Sequence, residues 1–129
     1  MGSTNQEVIV GLLDAWAGGN EAAAAAVREH FAADCVWEQT GLPTTTGPEE
    51  AAGMVMAMAN FGFTAMKVDY RSVTSAGDVV CTERVDHPLR ADGTVAISIP
   101  VVGITEFRDG KIVAWREYFD SAVLAQLAE

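Results

Sequence analysis

Three glycine turns divide the second half of this chain into four strand-like runs. Ala76-Gly77-Asp78, Ala91-Asp92-Gly93 and Arg108-Asp109-Gly110 separate Thr64–Ser75, Val79–Leu89, Thr94–Phe107 and a last run from Lys111 to about Asp120. Gly in so short a link marks a hairpin. Strands joined in succession by such turns pair antiparallel and form a curved sheet.

The first half reads as helices. Thr4-Asn5-Gln6-Glu7 is a capping box, and Val8, Leu12, Leu13 and Trp16 follow at helical spacing. Gly18-Gly19 stop that helix, and Asn20 is expected to cap a second, alanine-rich one from Glu21 to about Phe31. A short strand, Cys35 to Gln39, and a loop, Thr40 to Gly47, come next. Pro48-Glu49-Glu50 then open a third helix running to about Asn60, with Met54, Met58 and Phe61 on one side. A short amphipathic helix from Ala122 to Ala128 closes the chain. This order predicts one α+β domain over residues 1–129. Three helices cover the concave face of a mostly antiparallel sheet, forming a cone with an internal pocket.

Half the residues are hydrophobic and a fifth are charged, as in a globular domain. The formal net charge of −10 argues against nucleic acid or an anionic membrane as partner, since both call for a basic footprint. No segment approaches the length of a membrane span. The start, Met1-Gly2-Ser3-Thr4-Asn5, is polar and lacks the basic run of a secretory leader. Cys35 and Cys81 each lie in an apolar strand-like run and read as buried free thiols, so a cytoplasmic setting is expected. With His30 and His87 as the only histidines, no metal site is expected.

The charges that matter lie in Thr82-Glu83-Arg84-Val85-Asp86. Arg84 and Asp86 are two apart on a strand, so they leave the same face. Facing the pocket, they form a buried pair; facing water, they form a surface pair and Glu83 turns inward instead. Either register buries a charge. Asp120, in the last run, is a second carboxylate that can face the same cavity, or can cap the closing helix. Two carboxyls bridged by an arginine suit paired general acid and general base work. Met54, Met58, Ile97 and Ile99 read as pocket lining, and Trp37 as a pocket wall. Pro100 suggests a strand edge or bulge. His87 points the opposite way from Asp86 and reads as structural.

Thr82-Glu83-Arg84-Val85-Asp86, Gly110-Lys111-Ile112 and Trp115-Arg116-Glu117-Tyr118-Phe119-Asp120 together resemble the limonene-1,2-epoxide hydrolase family. That family belongs to the nuclear transport factor 2-like (NTF2-like, SnoaL-like) superfamily of α+β cones. The resemblance runs from the first helix to Asp120, with the elements in the same order. It implies cofactor-free hydrolysis of a small apolar, cyclic epoxide to a vicinal diol by direct attack of water, in a homodimer. It carries the general base onto Asp120, the bridging arginine onto Arg84 and the general acid onto Asp86. The family's water-holding tyrosine and asparagine fall on Trp37 and Gln39, which is a departure. Gln39 keeps a carboxamide, whereas the Trp37 indole can only donate.

Two other classes remain open. A SnoaL-like polyketide cyclase or ketosteroid isomerase-like enzyme would use Asp120 or Asp86 as a carbon-acid base. A non-catalytic ligand-binding or dimerisation module would pair its open sheet face with a second copy through Val113, Trp115 and Phe119. A wet Arg84 favours the module, and an enclosed array of Arg84 with two carboxyls favours hydrolysis.

Overall fold

The computed structural model describes residues 4–127. Ala128, the expected end of the last helix, and Met1–Ser3 lie outside the described residues. The capping box forms as expected at the start of α1, Asn5–Ala15. The Glu7 N–H donates to Thr4 Oγ1 at 3.2 Å and the Thr4 N–H to Glu7 Oε1 at 3.0 Å. A 3₁₀ turn, Trp16–Gly18, ends the helix and buries Trp16.

The second helix differs at its start. α2 spans Asn20–His30, and Gly19, at φ 116°, takes the cap position. Only a residue without Cβ reaches that conformation cheaply. The Asn20 side chain is therefore free of capping and donates instead to the Phe63 carbonyl at 2.8 Å. The strand after α2 is longer than expected. β1 spans Phe31–Gln39, with a register break between Phe31 and Val36 that bends it. The following loop contributes β2, Thr45–Thr46, and α3 spans Pro48–Met56 with Pro48 in its first turn.

The hairpins fall where the glycine turns put them. β3 is Ala65–Ala76, β4 Val79–Leu89, β5 Ile99–Arg108 and β6 Lys111–Tyr118, followed by α4, Ala122–Leu127. β5 begins later than Thr94; residues 94–98 are irregular, apart from a bridge from Val95 to Leu89. Pro100 lies beyond the last pairing of β5 with β6, at Val102, so no ladder bond to β6 is lost there.

The strands form one curved, open sheet in the order β2-β1-β6-β5-β4-β3. All neighbours are antiparallel except β1 and β6, because β1 enters from a helix rather than a hairpin. Ile9, Leu12 and Leu13 of α1, Ala23, Ala24 and Val27 of α2 and Ala51, Ala52 and Val55 of α3 are buried in the core. Across from them, Trp37 and Trp115 stack with ring centroids 5.0 Å apart. Trp115 is fully buried, so the pairing face imagined for Val113, Trp115 and Phe119 does not exist. The outer face instead presents Val102 and Tyr118, both exposed.

Candidate active site

Strand pairing builds the site. Thr82 pairs with Gly103, Gly103 with Glu117 and Glu117 with Gln39, so one row crosses four strands on the inner face. Directly paired residues share a face, and residues two apart on one strand do too. Arg84 and Asp86, on the strand of Thr82, therefore point inward with it. Arg84 is 1% exposed and Asp86 7%.

β4 and β6 are separated by β5, so a side chain joining them spans about 10 Å. Arg84 is long enough, provided nothing stands between, and Gly103 provides that gap. A Cβ at Gly103 would lie 2.6 Å from Arg84 Nη1 and 2.9 Å from Thr82 Oγ1. The guanidinium uses all its nitrogens. Nε donates to Asp86 Oδ1 at 2.9 Å, Nη2 to Asp86 Oδ2 at 3.2 Å and Nη1 to Thr82 Oγ1 at 2.9 Å. Nη2 also donates to Glu117 Oε2. The other Glu117 oxygen accepts the Trp37 indole N–H at 2.8 Å.

The second carboxylate of the array is thus Glu117, and Asp120 is corrected out of it. Asp120 is exposed and accepts the Ala122 N–H at 2.9 Å, at the start of α4. Strand phase explains the difference. Trp115 and Glu117 are two apart and both face inward, whereas Asp120 lies past the end of β6. His87 sits on the outer face between Ser98 and Asp69, each 2.8 Å away.

Burial sets the electrostatics. It pushes the Glu117 carboxyl above its ordinary 4.5; the Arg84 charge opposes this and the Asp86 charge adds to it. For Arg84, burial disfavours the charge, but Glu117 and Asp86 outweigh it and the guanidinium is held charged. Breaking such a buried pair costs far more than forming it gains. Cys35 is no nucleophile: burial, helped by Asp34, pushes its thiol up to about 12.

The array forms part of the wall of a cavity of about 110 Å³. Met58 and Ile99 line it as expected, and Trp37 and Gln39 do as well. Met54 and Ile97 do not: Met54 packs against the hydrophobic core, and Ile97 falls in the irregular stretch before β5. Phe61, Phe63, Met66 and Phe119 complete much of the apolar wall, and Val123 and Leu124 of α4 close one side. Among the described residues, no cluster of three His, Cys, Asp or Glu could hold a metal, and no helix is long and apolar enough to cross a membrane.

A sheet wrapped around a polar array in an apolar cavity defines the class as an NTF2-like cone with an internal site, the fold of its structural neighbours. A family model, the limonene-1,2-epoxide hydrolase catalytic domain, matches residues 4–128, and the chain belongs to that family. The epoxide hydrolase EphG of Mycobacterium tuberculosis is 31% identical over 87 residues, covering 67% of this chain. The match spans 56% of that relative, little more than half its length. A solved structure described as a limonene-1,2-epoxide hydrolase-like epoxide hydrolase from M. tuberculosis superposes with a TM-score of 0.74 at 25% identity, covering 95% of this chain and 87% of its own. A putative SnoaL-like polyketide cyclase from Jannaschia superposes with a TM-score of 0.76 at 20% identity, covering 95% and 90%.

Proposed function

We propose that this chain hydrolyses a small, largely apolar cyclic epoxide to a vicinal diol, with no cofactor. The supporting observation is the enclosed array of Asp86, Arg84 and Glu117 in the wall of an apolar cavity. One arginine, one carboxylate and one carboxylic acid sum to zero charge, the state an apolar surround tolerates best. Two carboxyls this close to one arginine share a single proton, since a second negative charge is disfavoured.

Glu117 is the general base. Burial raises the proton affinity of the Glu117 carboxyl, so once ionised it is a stronger base than an ordinary carboxylate. It takes a proton from water as the water oxygen bonds to one oxirane carbon. The carbon–oxygen bond breaks, and the departing oxygen takes the proton of Asp86, the general acid. Glu117 is left protonated and Asp86 ionised, so one proton returned to Asp86 resets the site. Gln39, paired with Glu117 across the strands, offers a carboxamide to hold the water. Trp37 has a different task from the tyrosine it replaces: its N–H orients the base.

A sealed Arg84 is the reverse of what a purely non-catalytic module calls for. The exposed Val102 and Tyr118 on the outer sheet face support a homodimer, and the two free cysteines suit a reducing compartment such as the cytoplasm. The test is diol formation from a panel of cyclic and styrene-type epoxides by wild type, Asp86→Asn and Glu117→Gln. Wild type is expected to form diol, and each variant to lose about 10²–10⁴-fold in rate. Absence of diol from every epoxide with wild type overturns the reading.

A further inference from the structure

Arg84 is gripped from both sides along its own strand. Asp86, two residues on, accepts from Nε at 2.9 Å and from Nη2 at 3.2 Å. Thr82, two residues back, accepts from Nη1 at 2.9 Å. Nη2 also crosses to Glu117 on β6, so one nitrogen links the two carboxyls.

The Thr82 corner has a single acceptor. A Cβ at Gly103 would lie 2.6 Å from Arg84 Nη1, 2.9 Å from Thr82 Oγ1 and 3.2 Å from Trp115 Nε1, so three polar atoms ring the bare glycine. Trp115 Nε1–H is a donor, like Nη1–H, and has no partner among the described residues. The Thr82 hydroxyl alone of the three can accept. Arg84 Cζ lies 5.9 Å from the Trp115 ring centroid, a contact that steadies the charge without choosing how the guanidinium is turned. Thr82 is 1% exposed and does not line the cavity, so its hydroxyl serves the arginine and not a ligand.

In the proposed hydrolysis, negative charge passes from Glu117 to Asp86. A guanidinium held by carboxyls alone would follow that charge and leave Glu117. Thr82 is neutral and exchanges no proton, so its hold is the same before and after the transfer. We propose that Thr82 is a positioning residue whose hydroxyl fixes the Arg84 guanidinium against rotation, keeping Nη2 on both carboxyls through turnover. Its use in turnover rests on the proposed hydrolysis; the hold on Arg84 does not.

The test compares wild type, Thr82→Val, which keeps the shape without the hydroxyl, and Thr82→Ser, which keeps the hydroxyl. Nitrogen-15 NMR of the Arg84 guanidinium is expected to show separate Nη1 and Nη2 signals in wild type and Thr82→Ser. In Thr82→Val rotation about Nε–Cζ is expected to merge them. With an epoxide that wild type opens, Thr82→Val should lose roughly 10–10²-fold in kcat at unchanged KM, and Thr82→Ser should restore it. A merely structural Thr82 would cost stability alone; separate signals or wild-type kcat in Thr82→Val overturn the proposal. If Thr82→Val does not fold, Thr82→Ala replaces it, and merged signals in wild type overturn the proposal without any variant. If wild type opens no epoxide, the hydrolysis reading falls and the same spectra decide the hold by themselves.

Discussion

The two faces of β4 carry similar residues with different fates. Inward, Thr82, Arg84 and Asp86 form a buried array with partners on two strands. Outward, Glu83 and His87 make pairs with Ser72 and Asp69 on the edge strand. His87 lies 2.8 Å from Asp69, much as Arg84 Nε lies 2.9 Å from Asp86. The distances match but the solvent does not: the Asp69 side chain is 78% exposed and that of Asp86 10%. Water screens the first pair to near insignificance, and its absence makes the second both costly to break and chemically useful. Distance alone therefore says little about what such a contact does.

Arg84→Ala should break the comparison most. It leaves two carboxyls facing each other without a counterion, and urea denaturation is expected to show a loss of about 3–5 kcal/mol. Gly103→Ala comes next. The Cβ would displace the guanidinium from Thr82 and Glu117, so epoxide turnover should collapse while circular dichroism retains the fold. A variant as active as wild type would mean the array tolerates movement.

The pH dependence of stability separates the faces further. The Glu117 carboxyl binds its proton more tightly in the folded chain than in the unfolded one. Its contribution favours the fold at low pH and is lost as pH rises from about 4.5 through the raised folded value. Glu117→Gln should remove that part of the decline in a series of denaturation curves. The smallest effect is expected outside: His87→Gln should change stability by no more than about 0.5 kcal/mol at neutral pH.

Much of this was legible in the residues. The glycine turns marked the hairpins, and the Arg84-x-Asp86 spacing set two groups on one face whichever way that face turned. Phase was also available on β6. Trp115 and Glu117 alternate with Arg116 and Tyr118, and the large apolar Trp115 marks the inward set. Reading the motif's last acid, Asp120, instead of its phase put the second carboxyl of the array one helix cap too far along. Asn20 and Gly103 were not legible. The Asn20 contact depends on where the Phe63 carbonyl lies, 43 residues away. The role of Gly103 depends on an arginine from a neighbouring strand crossing over it.

The bare Gly103 has a consequence for how such a site can be lost during evolution. The span from Asp86 to Glu117 depends on a position that donates no functional group at all. A lineage can keep both carboxyls and the arginine, yet lose the proposed chemistry by gaining one methyl group there. A search for decayed members that checks only the reactive side chains will count such chains as intact.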